Sequence, residues 1–123
     1  VGQIATAQVV MNRVEDKRFP NTICEVVKQG PTRPSWEDPK KEYPIKHRCQ
    51  FSWYCDGKDD TPKNEKAWRK AQDVAFLVLY DKIKLDVTEG ATHYHATYVR
   101  PSWAKTKKRT TRIEKHIFYR WEK

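Results

Sequence analysis

The spacing of apolar residues switches along this chain, and the switch restricts the fold more than any single motif does. From Val1 to Val14, Ile4, Ala7, Val10, Met11 and Val14 recur at three- and four-residue steps, the pattern of a helix with one buried face. Ala67, Ala71, Val74, Ala75, Val78 and Leu79 repeat that spacing further on, so a second long helix is expected from Pro62 to about Tyr80, with Thr61 as its cap. After Gly90 the pattern becomes extended. Thr92 to Val99 is rich in aromatic and β-branched residues, and Ile113 to Trp121 places Ile113, Ile117 and Tyr119 at two-residue intervals. These two strands, joined by a basic loop from Lys105 to Arg112, form an antiparallel pair. The expected class is therefore α+β, with helices first and a small sheet last.

Between these blocks, Thr22 with Glu25 three residues later forms a capping box for a short helix ending at Val27. Residues 30 to 48 hold Gly30, Pro31, Pro34, Pro39 and Pro44 among many charges, a composition that reads as a long surface excursion. No cap residue precedes Ile4 except the weak candidate Gly2, so the first helix is expected to begin ahead of Val1. No targeting segment is recognisable at the start.

A chain of 123 residues forms one domain. Val, Ile, Leu and Phe make up only about 19% of it, and the formal net charge is +9, values that border on the composition of disordered chains. Five Trp and six Tyr argue the other way, because such rings bury large areas while keeping a polar handle, as a groove for a polar ligand requires. No apolar run approaches the ~20 residues of a membrane-spanning helix. The charge is uneven: residues 1 to 99 carry 16 Lys/Arg and 14 Asp/Glu, whereas residues 100 to 123 carry 9 and 2. Such an end attracts polyanions, either nucleic acid or the acidic polymers of a bacterial envelope.

A strand period of two puts His93 and His95 on one face and Tyr94 on the other. Metal ligation, hydrogen bonding to a ligand and a structural role all remain open for the histidine pair. Zinc would require His47 or His116 to converge with it. Cys24, Cys49 and Cys55 match no zinc-finger spacing, and at least one stays unpaired if a disulfide forms. No cysteine-nucleophile signature is present, and Ser52 lacks the glycine-flanked elbow of a serine nucleophile, so it is read as a hydrogen-bonding group. Phe51, Trp53, Tyr54, Tyr94, Tyr98 and Trp103 lie in the two segments otherwise richest in polar residues. A domain of this size cannot bury them all.

The stretches Cys49-Gln50-Phe51-Ser52-Trp53-Tyr54-Cys55-Asp56-Gly57, Gly90 to Val99 and Pro101-Ser102-Trp103 resemble the SleB/CwlJ family of bacterial cell-wall hydrolases. So do Val9 to Val14 with Phe19 to Cys24, and His116 to Tyr119. The resemblance spans nearly the whole chain except Gln29 to Arg48. It implies a lysozyme-like helical lobe with a small antiparallel β-sheet lobe, making residues 1–123 a cell-wall hydrolase catalytic domain. The activity implied is lytic transglycosylation of peptidoglycan between N-acetylmuramic acid and N-acetylglucosamine, without cofactor or metal, at the periplasmic or extracellular face of a bacterial envelope or in a phage.

The resemblance also puts the family's catalytic glutamate in a segment ahead of the first helix, hence ahead of Val1; Glu15, in a solvated turn, and Glu89, ahead of the strand, read as surface charges, with a substitute acid as the alternative for either. It assigns Ser52, His93, His95 and Tyr98 as polar groups of the site, and Phe51, Trp53, Tyr94 and Trp103 as substrate-binding walls. Glycan strands are the expected partner, with anionic wall polymers held by the basic C-terminal end. Two other readings compete: a noncatalytic wall-binding module, and a basic nucleic-acid binder.

Overall fold

The apolar stripe of the first fourteen residues forms helix α1 (Gly2–Glu15), in which Ala5, Val9 and Val10 are buried. The computed structural model describes residues 2–34, 37, 40–46, 48–59, 61–80 and 85–122. Helix α2 (Ile23–Val27) follows, and Thr22 caps it as expected, accepting the Glu25 amide at 3.2 Å and donating to the Glu25 carboxylate at 2.9 Å. The capped turn drops Val26 into the core.

The Pro-rich excursion contains an antiparallel ribbon that its composition hid, β1 (Thr32–Pro34) paired with β2 (Glu42–Pro44). With only two strands, both are edges, so Pro34 and Pro44 are tolerated in it. A 3-10 turn, Ser52–Cys55, comes next, held by a Cys49–Cys55 disulfide; Cys24 is free and exposed.

Helix α3 (Glu65–Leu79) starts later than its spacing predicts. The cap is Asn64, whose side chain accepts the Ala67 amide at 3.0 Å, and Pro62 lies outside the helix. Thr61 instead donates its amide to Asp59. The helix packs on α1, yet none of its residues is buried.

The C-terminal lobe has three strands where two were expected. β3 (His93–Ala96), β4 (Lys108–Ile113) and β5 (His116–Arg120) form an antiparallel sheet in the order β3-β5-β4. The basic segment read as a loop is largely strand β4, a charged edge of the kind that resists unwanted pairing. A bulge between Arg109 and Thr111 lets the Thr110 hydroxyl donate to Thr88 and Phe118 carbonyls. β3 is shorter than expected and ends at Ala96, leaving Tyr98 in the turn beyond it.

The core lies where the lobes meet. Ala5, Val9 and Val10 of α1, Val26 of α2, Phe51 of the disulfide loop, and Ala91 and Phe118 of the sheet region close on one another. Among the described residues no helix is long and apolar enough to cross a membrane.

Candidate functional site

Strand alternation sorts the aromatic residues of the sheet onto two faces. On one, His93 pairs across β5 with Tyr119, and the ring of Trp103 lies 5.1 Å from His93, 5.7 Å from His95 and 5.3 Å from Tyr119. On the other, Tyr94 stacks on Phe118 at 5.6 Å, meets His116 edge-on at 5.4 Å and approaches Phe51 at 6.3 Å. The second face points into the core; the first is roofed by the 3-10 segment Ser102–Thr106, which carries Trp103.

The disulfide loop lies against this ribbon. Between them runs an open groove of about 430 Å³, walled by Gln29, Arg48 and Gln50 on one side and by Tyr94, His95 and Trp103 on the other. Gly30 lets the loop come this close: its φ is +149°, and a Cβ there would stand 2.8 Å from the Cys49 Cα. A second groove, about 510 Å³ and mostly apolar, opens between α1 and α3 and is bordered by Thr6, Trp53, Glu114 and His116. Tyr94 lies between the two: it lines the first groove, and its ring reaches Phe51, which in turn meets Trp53 of the second. Burial pushes the Tyr94 phenol above its ordinary pKa, against the opposing influence of its polar neighbours and of the Arg13 cation.

Hydrogen bonding fixes the two histidines differently. His95 Nδ1 lies 2.7 Å from the Ala96 carbonyl, which only accepts, so the proton is on Nδ1 and Nε2 accepts from the Tyr119 hydroxyl at 2.9 Å. Both ring nitrogens are thus engaged. His93 is buried against Phe19, Trp103 and Trp121, with Nδ1 2.9 Å from the Thr92 hydroxyl. Burial foremost, then the cations Arg13, Lys107 and Arg18, push its pKa down to about 4, so it is neutral at physiological pH.

Of the residues singled out in the sequence, Tyr94, His95 and Trp103 converge on the first groove, while Trp53 faces the second. Phe51 needs correction as a stacking wall: at 1% exposure it is a core residue, with no open ring face to offer a sugar. His93 stands behind the wall, packed under Trp103. Tyr98 is 83% exposed in the turn beside Val99, which lines the groove. The Ser52 side chain and His47 lie outside the described residues. Among the described residues, no three His, Cys, Asp or Glu groups cluster tightly enough to hold a metal ion.

Sequence reading missed Gln29, Arg48 and Gln50, which sit in or beside the variable loop, and also Glu114, the one carboxylate among the described residues lining either groove. Arg13 was missed as a structural element. Fully buried, it donates Nε to the Thr92 carbonyl and Nη1 to Gln29 Oε1, and it lies over the rings of Phe19 and Phe51. Burial lowers its pKa to about 10, which leaves it cationic at neutral pH. The arrangement is a shallow polar groove with aromatic edges, amide donors and one guanidinium, suited to a polar ring bearing an acidic substituent.

A profile of the family described as Cell Wall Hydrolase matches residues 1–119. The chain belongs to the cell wall hydrolase family. Two solved structures resemble this hydrolase domain. One is the catalytic domain of the germination-specific lytic transglycosylase SleB from Bacillus anthracis, at 26% identity and a TM-score of 0.65, the match covering 97% of this chain and 78% of that one. The other is the catalytic domain of the Bacillus cereus SleB protein, at 26% identity and a TM-score of 0.58, covering 97% and 74%. No curated protein matches. The cell wall hydrolase thus has the α+β fold of these SleB domains, and its histidine ribbon and disulfide loop stand on facing sides of one groove.

Proposed function

We propose that this domain cleaves the glycan strand of peptidoglycan between N-acetylmuramic acid and N-acetylglucosamine as a lytic transglycosylase, outside the cytoplasm. The observation that carries the reading is the likeness, over nearly the whole chain, to a SleB catalytic domain described as a lytic transglycosylase. The groove between the disulfide loop and β3 supports it, since its amides and ring edges match a sugar and Arg48 matches an acidic stem or lactyl group. The disulfide fits an oxidising compartment.

In this chemistry a carboxylic acid protonates the glycosidic oxygen as its bond to C1 breaks. The resulting carboxylate takes the proton of the muramic 6-hydroxyl, whose oxygen bonds to C1 and closes an anhydro ring. By the family resemblance this acid belongs to the segment that leads into the first helix in family members. The residues of the groove bind and orient the strand. His95, with both nitrogens engaged, is a positioning residue that holds the wall to Tyr119.

The full-length protein is expected to release muropeptides with anhydro ends from purified sacculi, detected by mass spectrometry. Reducing ends alone would make it a hydrolase in the strict sense, and binding without release would make it a noncatalytic wall module. Gln50→Ala should raise KM about tenfold with kcat and thermal unfolding unchanged, the loss of one hydrogen bond worth ~1.4 kcal/mol. An unchanged KM would remove this groove from the site.

A further inference from the structure

The groove leaves unused the strongest charge on the molecule. Residues 100–123 hold nine Lys/Arg against two Asp/Glu, and four of these cations, Lys105, Lys108, Arg109 and Arg112, are exposed along one edge of the sheet lobe. Lys105 sits on the 3-10 segment that also supplies the groove wall Trp103, and Lys108, Arg109 and Arg112 continue the line along β4, all exposed. The register sets Arg109 beside Tyr119 and Arg112 beside Ile117, on the sheet face that carries His93 and His95. The two acids do not neutralise this line. Glu122 pairs with Arg120 at 2.8 Å, and the Glu114 carboxylate lies at the α1 start, next to Gly2. Lys108 is placed directly opposite Arg120, on the other face of the sheet, where Glu122 holds the Arg120 guanidinium.

We propose that this edge binds a linear phosphodiester polymer of the bacterial wall, running beside the groove and holding the domain on its substrate; the proposal rests on the wall-cleaving reading above. A strand of six residues extends about 20 Å, a length that several successive phosphates span. The Lys105 end of the track adjoins the groove, so a polymer attached to the glycan mesh reaches both at once. Trp121, at the end of the sheet, offers no platform for stacking bases, because Lys107 and Arg18 already lie over its ring at 4.7 and 4.2 Å.

The test measures binding of the full-length protein to purified poly(glycerol phosphate), to single-stranded DNA of equal charge, and to sacculi with and without their phosphodiester polymers. The polymer should bind more tightly than the DNA. Raising salt from 50 to 200 mM should weaken polymer binding about tenfold to hundredfold, as expected for about three to four phosphate contacts. The triple substitution Lys105→Gln, Arg109→Gln, Arg112→Gln should lose at least tenfold in affinity for the polymer while still binding stripped sacculi. If the triple variant unfolds, Lys105→Gln alone, outside the sheet, should lose about threefold. Unchanged polymer affinity in a folded variant, or DNA bound as tightly as the polymer, overturns the proposal. Failure of the groove reading would appear separately, as no binding to stripped sacculi and no anhydro products.

Discussion

His93, at 9% exposure, has three cations around it and one carboxylate, Asp16, in electrostatic reach. Its folded pKa of about 4 lies below the unfolded value of about 6.5, so between these pH values the unfolded chain binds a proton that the native protein refuses. Stability is therefore full above about pH 6.5 and falls as pH drops toward 4, by about 3 kcal/mol. Urea midpoints measured across this range should show the fall, and His93→Gln should flatten it; an unchanged slope would mean that another group titrates. The period-two spacing of the sequence placed both histidines on one face. It did not reveal that His95 would spend its Nε2 on Tyr119, twenty-four residues away, or that Arg13 and Lys107 would crowd His93. Such roles arise from contacts that only the folded chain makes.

Helix α1, the Thr22 cap and the extended character of residues 93–96 were legible because each is written in consecutive side chains. Strand β4 was not, since six residues of mostly Lys, Arg and Thr become a strand only when β5 supplies the ladder. The start of α3 was misjudged because Thr61-Pro62 and Asn64-Glu65 both satisfy capping chemistry, and the nearby Asp59 takes the Thr61 amide. The observed cap predicts that Asn64→Ala lowers stability by ~1 kcal/mol while Thr61→Ala changes it by less than about half of that. Chemical denaturation of the two variants distinguishes the positions; equal losses would contradict the Asn64 cap.

At the scale of the molecule, one side of α1 laces the helix to the loop ahead of β3. Gln8 donates to the Leu85 carbonyl and accepts the Val87 amide, both at 3.0 Å. Asn12 donates to Asp86 and to the Ala91 carbonyl, each at 2.9 Å, and Arg13 reaches the Thr92 carbonyl. Asp86 also gathers the Thr88 and Gly90 amides, and these bonds, with those from Asn12 and the Thr88 hydroxyl, outweigh its burial and hold its pKa below the ordinary value. Asn12→Ala leaves Ala91 and Asp86 short of a donor and should cost about 2 kcal/mol. Amide exchange should then quicken in residues 86–92 and along α1 together; exchange confined to one side would mean that the seam does not couple them. These polar bonds run beside the apolar contacts of Ala5, Val9, Val10 and Ala91, and unlike those contacts they add little to the heat capacity of unfolding. Apolar contacts slacken as water cools, whereas the amide and carboxylate bonds of Gln8, Asn12 and Asp86 do not share that weakening, so near freezing they carry a growing share of the hold between α1 and the sheet.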